Sequence, residues 1–153
     1  MKYYMTLTKV DFFIPVERCQ DCLKAIKALD PRKGTGGSSA EDKWFAWINT
    51  KEYKDAQTLQ DALSAWHWRT DTDNDGNIVN LHFDGEIFED EQFLFDAIAP
   101  FVKEGSYIQI QEGDRTNWRW IFIKRECIIE QGTLAWERFM GSRKFVFELD
   151  MDN

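Results

Sequence analysis

Residues 66–83 read WHWRTDTDNDGNIVNLHF, and this stretch carries the strongest structural signal in the chain. Two runs rich in aromatic and β-branched residues, 66–70 and 78–83, flank a polar sequence that is typical of turns. The pair Asp75-Gly76 favours a tight turn, because glycine adopts positive φ angles without steric strain. The stretch therefore predicts a β-hairpin.

Helical signals lie on both sides of this hairpin. Before it, Thr58 and Asp61 resemble a capping box that opens a short helix. After it, the three acidic residues at 89–91 suit the positive end of a helix macrodipole, and an apolar stripe follows over 94–102. Gly105 suits the end of that helix.

The N-terminal part predicts a strand, a helix and a second short strand. Residues 3–14 are rich in aromatic and β-branched types, and their alternation changes parity near Lys9, which predicts a bulge. A helix should follow Pro15, because apolar residues recur at helical spacing as far as Leu29. The aromatic run Trp44–Ile48 predicts a strand.

From Ser106 onward, strand-like runs alternate with glycines and predict an antiparallel meander. The order of elements predicts an α+β fold, an antiparallel sheet with two or three helices. If the helix near Ala62 is an insertion, the first part follows the ferredoxin-like βαββαβ pattern, with the C-terminal β-meander added. We expect residues 1–153 to form a single domain, because this length is near the commonest domain size.

Composition indicates a folded protein of the cytoplasm. Hydrophobic residues make up 43% of the chain and aromatic residues 15%, enough for a core without disulfide or metal support. No window approaches the ~20 apolar residues of a membrane span, and the N-terminus lacks the apolar run of a signal peptide. Three cysteines is an odd number, which agrees with a reducing compartment.

Acidic residues are concentrated in the middle of the chain, which has a net charge of −8. Residues 51–100 contain three basic and twelve acidic side chains, and no Lys or Arg lies between Thr70 and Asp96. Contacts to phosphates supply most non-specific affinity for nucleic acids, so nucleic acid is a disfavoured partner. An anionic membrane surface is disfavoured for the same reason.

The predicted hairpin turn also resembles part of a calcium-binding loop. Asp71, Asp73 and Asp75 followed by Gly76 match the first positions of an EF-hand loop, in which such carboxylates converge on one hard cation. The match ends at the twelfth position, where His82 replaces the bidentate Glu. Two interpretations remain open: a calcium site, or a hairpin turn with solvated acids. We expect no other cofactor.

Other catalytic or metal signals are weak. Cys19 and Cys22 form a Cys-x-x-Cys, but the chain offers no second pair at zinc-ligand spacing, and the pattern also fits two small residues near the apolar stripe of a helix. The two histidines, His67 and His82, have no catalytic motif around them, and no Gly-x-Ser-x-Gly elbow is present. The sequence therefore favours a binding protein over an enzyme.

Tryptophans two residues apart form the second functional signal. On a strand, Trp66 and Trp68, and likewise Trp118 and Trp120, project from one sheet face. Exposed rings of this kind would form an aromatic groove for a ligand or partner, and covered rings would belong to the core. A sheet covered by helices needs a large apolar face, which favours the core.

Several segments of the chain resemble small acidic uncharacterised proteins of bacteria and their phages. The residues that carry this resemblance are Leu94–Val102, Gly105–Ile108 and Trp118–Trp120, together with the earlier 45–48 and 59–68. The acidic run after the strand at 106–110 has a basic interruption here, at Arg115. The resemblance implies no particular activity.

Two functions follow from these signals. The first is a non-enzymatic acidic binding protein, such as an inhibitor or immunity-type protein, that docks on a protein with a basic surface. The predicted docking residues are Asp71, Asp73, Asp75, Asp84, Glu86, Glu89, Asp90 and Glu91. The alternative is a small-molecule or metal-dependent enzyme with a pocket between the sheet aromatics and the acidic hairpin.

Overall fold

The structure, a computed structural model, describes residues 5–39, 41–112, 116–132, 134–140 and 143–149. These residues form four α-helices and ten β-strands. The helices are α1 Cys19–Lys27, α2 Thr50–Lys54, α3 Leu59–Ala65 and α4 Glu91–Ile98. The strands are β1 Met5–Asp11, β2 Gly36–Ser39, β3 Asp42–Trp44, β4 Trp68–Thr72, β5 Ile78–Phe83, β6 Tyr107–Glu112, β7 Thr116–Ile123, β8 Glu126–Gly132, β9 Leu134–Met140 and β10 Arg143–Leu149.

The predicted hairpin is present as β4 and β5. The two strands pair in antiparallel register, and Gly76 in the turn has a φ angle of 87°. The first strand begins later than predicted, however, because Trp66 is the C-cap residue of α3. His67 follows with a φ angle of 69° and redirects the chain into β4. Trp66 therefore does not share a strand with Trp68.

The main sheet is antiparallel, in the order β1-β6-β7-β8. The predicted bulge in β1 lies between Leu7 and Lys9. The first two residues of the predicted N-terminal strand, 3 and 4, lie outside the described residues, as does Arg115. Strands β6, β7 and β8 form the predicted meander, and β9 pairs with β10. The α+β class is confirmed.

The ferredoxin-like arrangement is not confirmed. The βαββαβ pattern would place the β4–β5 hairpin within the main sheet, but the hairpin forms a two-stranded ladder of its own. One antiparallel bridge between Ile14 and Ile78 joins the hairpin to the segment after β1. The strand predicted at 44–48 is also wrong for most of its length, because β3 ends at Trp44. The backbone then turns, and the Ile48 N–H donates to the Phe45 carbonyl at 3.1 Å.

The starts of α3 and α4 follow the predicted signals, but the end predicted at Gly105 is wrong, because α4 ends at Ile98. The Thr58 hydroxyl accepts from the Asp61 N–H at 3.1 Å and begins α3. Helix α4 begins within the predicted acidic run, and the last turn before Val102 is a 3-10 helix that contains Pro100. Proline removes one helical donor and clashes with the preceding turn, which explains this change of helix type.

Aromatic rings join the hairpin, α4 and the main sheet into one core. The ring of Trp68 lies 4.9 Å from Phe83, 5.4 Å from Phe95 and 6.5 Å from Trp120, measured between ring centroids. These contacts bring together β4, β5, α4 and β7. Buried aromatic side chains remove large apolar areas from water, so this cluster supplies much of the folding free energy. Among the described residues, no helix is long and apolar enough to cross a membrane.

Replacing Trp68 with alanine should lower the free energy of unfolding by about 3–5 kcal/mol, the usual cost of truncating a buried aromatic side chain. Urea denaturation followed by far-ultraviolet circular dichroism measures this change. Trp44→Ala is the matched control, because Trp44 is 41% exposed. Its loss should cost less than about 1 kcal/mol. Equal losses in the two variants would contradict the placement of Trp68 in the core.

Candidate functional site

The hairpin carboxylates stabilise the turn instead of converging on a cation. Asp73 accepts hydrogen bonds from the N–H groups of Asp75 and Asn77, and from the Asn77 side-chain amide, at 2.9–3.0 Å. The Asn77 bonds lower the pKa of Asp73 below its ordinary value. Asp71 instead lies 2.6 Å from Nε2 of His82, and this hydrogen bond lowers the pKa of Asp71. The described residues contain no group of three or more His, Cys, Asp or Glu side chains placed to hold a metal ion.

The acids of the middle of the chain lie in two separate groups. Asp73 and Asp75 are at the turn end of the hairpin, whereas Asp84 follows the other end of β5. The six residues of β5 separate the two ends. At about 3.3 Å per residue, that separation is about 20 Å. We name residues 84–91, DGEIFEDE, the acidic segment.

The expectation of one continuous docking patch is therefore corrected in three respects. The hairpin acids are distant from the acidic segment, as above. Asp84 forms an ion pair with Arg69 at 3.3 Å, so a cation does lie beside the acids. Asp90 and Glu91, at the N-terminal end of α4, are buried. Glu86 is exposed and Glu89 is half-buried, so the side chain of Glu86 is the more accessible of the two to a partner.

Asp90 connects three segments of the chain. Its carboxylate accepts from the Thr35 N–H at 2.9 Å, the Thr35 hydroxyl at 3.0 Å and the Ala46 N–H at 2.7 Å. The side chain is 2% exposed, so these bonds are shielded from water. Three donors offset the cost of burying a carboxylate, which is otherwise large. Asp90 therefore has a structural role.

Glu91 is equally buried but has far fewer partners. The residue is 4% exposed, and its carboxylate accepts from the Glu89 N–H at 2.7 Å. Burial is the largest influence on this group and raises its pKa to about 7, and the backbone N–H groups of Glu89 and Glu91 oppose that rise. Near neutral pH, the protonated and ionised forms of Glu91 therefore have similar populations.

Glu91 lines an apolar pocket of about 190 Å³, which we name the Glu91 pocket. The pocket lies between the acidic segment and the face of the main sheet that carries Trp118 and Trp120. Gln92 orients one wall, because its carbonyl accepts from Nε1 of Trp120 at 3.2 Å while its amide donates to Asp96 at 2.8 Å. The full lining is Phe88, Glu89, Glu91, Gln92, Ile110, Trp118, Trp120 and Ile129.

A second pocket, of about 260 Å³, lies at the other end of the acidic segment, and we name it the Trp47 pocket. Its lining is Trp47, His67, Asp84, Gly85, Glu86 and Ile87. Trp47 and His67 both have φ angles of 69°, and Nε2 of His67 lies 2.7 Å from the Trp47 carbonyl oxygen. Such left-handed conformations are uncommon outside glycine and concentrate at functional sites.

Trp47 is the most exposed of the large hydrophobic side chains that the structure describes, at 52%. Its indole N–H donates to Oε2 of Glu89 at 3.2 Å, so the ring lies beside the acidic segment. Sequence reasoning missed this residue, because the run 44–48 predicted a strand. The residue types around Trp47 do not predict its left-handed backbone, because none of them requires a positive φ angle at this position.

The predicted aromatic groove is corrected by the burial of its members. Trp66 and Trp68 are fully buried, and the indole N–H groups of both are buried without a hydrogen-bond partner. Trp120 is also buried, with one edge at the Glu91 pocket. Trp118 and Trp120 do share a sheet face, as their spacing predicts, because both belong to β7. That face points towards α4 and the acidic segment, which cover most of it.

The cysteines do not form a reactive centre. Cys19, Cys22 and Cys127 are free thiols. Burial is the main cause that raises the pKa of all three, to about 12 for Cys127. Since the thiolate is the nucleophile and metal ligand, the raised pKa values lower the reactive fraction of these thiols at neutral pH.

Comparison with known protein families, curated proteins and solved structures found no match to this chain. The functional argument therefore depends on the geometry of the acidic segment and its two pockets.

Asp73→Ala should lower the melting temperature, because three donors in the turn lose their acceptor. Asp75→Ala is the matched control and should leave it unchanged, since only the backbone of Asp75 takes part in these bonds. Differential scanning calorimetry measures both. Millimolar calcium should not raise the melting temperature of the native chain. A calcium-dependent rise that Asp73→Ala abolishes would contradict the assignment of Asp73 to the turn.

Glu91→Gln should flatten the pH dependence of stability. The pKa of about 7 in the folded state lies above the ordinary value of 4.5, so the folded chain holds this proton more tightly. The resulting stabilisation is complete below pH 4.5 and is lost as pH rises through 7. Between pH 5 and pH 8, the native chain should lose on the order of 2–3 kcal/mol more than the variant.

Urea denaturation at the two pH values measures this difference. Glu52→Gln is the control, because Glu52 is exposed on α2 and its removal should not alter the pH dependence. Parallel pH profiles for the native chain and Glu91→Gln would show that Glu91 titrates normally.

Proposed function

We propose that this chain is a non-enzymatic binding protein that docks on the basic surface of another protein, as an inhibitor or immunity protein does. The docking surface consists of the Trp47 pocket and the exposed part of the acidic segment. The single observation that supports it most is the half-exposed ring of Trp47 beside the acidic segment. Tryptophan is enriched among the few residues that contribute most of the binding energy at protein interfaces.

The chemistry of this surface suits an arginine or lysine side chain. An aromatic face attracts a cation through the ring quadrupole, and nearby carboxylates add charge-assisted hydrogen bonds. Glu86 is exposed and lines the same pocket as Trp47. Glu86 forms no ion pair with another described residue, so its carboxylate is available to a partner's cation.

The overall charge favours the same kind of partner. A net charge of −8 attracts a basic protein from a distance and repels nucleic acid and anionic membranes. The hairpin acids contribute to this long-range field, although they lie outside the docking surface. A cytoplasmic location is part of the proposal, because three free thiols suit a reducing compartment.

The alternative function is a small-molecule enzyme that uses the Glu91 pocket. This pocket lies between the sheet aromatics and the acidic segment, and not at the acidic hairpin. A carboxyl group with a pKa of about 7 is favourable for general acid–base catalysis near neutral pH. Catalysis by one carboxyl group requires a second polar group that acts on the substrate, and Glu89 and Gln92 are the other polar side chains that line the pocket.

Charge reversal at Glu86 tests the docking proposal. The native chain should capture a basic protein from lysate of its source cells, and Glu86→Arg and Trp47→Ala should each bind the purified partner at least about tenfold more weakly. Surface plasmon resonance measures the dissociation constants. Affinity should fall as ionic strength rises, because the contacts are between charges.

Asp75→Arg is the matched control. It changes the net charge by the same amount as Glu86→Arg, but it lies at the turn end of the hairpin, about 20 Å away by strand length. Its affinity should stay within about threefold of the native value, since only the long-range field changes. Equal losses for Asp75→Arg and Glu86→Arg, or an affinity that does not depend on salt, would contradict docking through the Trp47 pocket.

A further inference from the structure

The Glu91 pocket presents a buried acid that the fold does not neutralise. Among the described residues, the Glu91 carboxylate accepts from the backbone N–H groups of Glu89 and Glu91 but has no side-chain donor and no ion-pair partner. Asp90, its neighbour in sequence, accepts from three groups at the same depth. The carboxylate of Asp90 is therefore satisfied within the fold, whereas that of Glu91 can still accept from a ligand's donors.

The charge around Glu91 selects the kind of ligand. The titratable groups closest to it in the acidic segment are Asp90 and Glu89, and both raise its pKa. The sheet contributes four uncharged side chains to the pocket: Ile110, Trp118, Trp120 and Ile129. The charged group of the sheet beside them is Glu112, whose carboxylate accepts from Nε1 of Trp118 at 3.3 Å. The Gln92 amide donates to the carboxylate of Asp96, on α4, and to the backbone carbonyl of Cys127, and the Cys127 thiol is also hydrogen-bonded to Gln92. Among the described residues the charged neighbours of Glu91 named above are all acidic, and such a site attracts a cation and repels an anion.

The walls of the pocket select the body of the ligand. Phe88, Trp118 and Trp120 provide aromatic faces, and Ile110 and Ile129 provide aliphatic ones. A volume of about 190 Å³ holds about six water molecules at ~30 Å³ each. This volume accommodates a single aromatic ring with a short aminoalkyl arm, and water displaced from an apolar wall favours such a ligand.

We propose that the Glu91 pocket binds a small primary amine with an apolar body, whose ammonium group pairs with the Glu91 carboxylate while its ring lies between Trp118 and Trp120. The ammonium supplies the hydrogen-bond donors and the positive charge that the buried carboxylate otherwise lacks. The indole rings add attraction to the same cation. This site does not depend on the docking proposal, because docking uses the Trp47 pocket at the other end of the acidic segment.

Phenethylamine is the probe that tests the pocket, and phenethyl alcohol is its neutral counterpart. Isothermal titration calorimetry on the full chain should detect phenethylamine binding at millimolar concentration, at least about tenfold tighter than the alcohol. Affinity should rise about tenfold from pH 6 to pH 8, because Glu91 loses its proton in this range while the amine keeps its own. Glu91→Gln should weaken amine binding at least tenfold and abolish this pH dependence.

Adjacent residues of β8 provide a matched pair of variants that leave Glu91 intact. Ile129 is 47% exposed and lines the pocket, whereas Ile128 is 45% exposed and projects from the opposite sheet face. Ile129→Trp should fill the pocket and weaken amine binding at least tenfold, and Ile128→Trp should leave it unchanged. This pair decides the question even if Glu91→Gln fails to fold.

Three results would overturn the inference. The first is equal affinity for the amine and the alcohol, which would remove the role of charge. The second is binding that weakens as pH rises, which would show that the ligand binds the protonated carboxyl group of Glu91 and not its carboxylate. The third is equal affinity in Ile129→Trp and Ile128→Trp, which would place the amine elsewhere. None of these results bears on docking at Trp47, so the two proposals fail independently.

Discussion

The buried carboxylate of Asp90 is the interaction on which the functional surface depends. It holds the N–H of Thr35, the N–H of Ala46 and the start of α4 at one point. Without it, three backbone segments that meet there would lose a common acceptor in a place that water does not reach. The turn that carries Trp47 follows Ala46 directly, and the acidic segment ends one residue after Asp90. One buried charge therefore positions both pockets.

The two pockets have different physical characters although they share one segment of chain. The Trp47 pocket is open, with an exposed ring and an exposed carboxylate, as befits contact with another protein surface. The Glu91 pocket is largely apolar, and burial raises the pKa of the carboxyl group in it to about 7. Glu89 lies between them, because its side chain accepts from Trp47 and its N–H donates to Glu91.

Aromatic packing explains why the tryptophans of the hairpin region serve the core. Trp66 caps α3 and contacts Phe45 at 4.9 Å and Tyr53 at 5.9 Å between ring centroids. Trp68 contacts rings from the hairpin, α4 and β7. A hairpin that is not part of the main sheet needs another means of attachment, and these rings provide it. Their unsatisfied indole N–H groups show that apolar contact, more than hydrogen bonding, determines their position.

The sequence by itself determined the features that depend on neighbouring residues: the Asp75-Gly76 turn, the Thr58 cap, the acidic start of α4, the bulge in β1 and the α+β class. Each arises from local backbone sterics or from hydrogen bonds within a few residues. Only the tertiary structure decided that the hairpin lies outside the main sheet, that Asp90 and Glu91 are buried while Glu86 is exposed, and that Trp47 adopts a left-handed backbone. Burial and strand pairing depend on contacts between segments that are distant along the chain, and residue type and spacing do not specify those contacts.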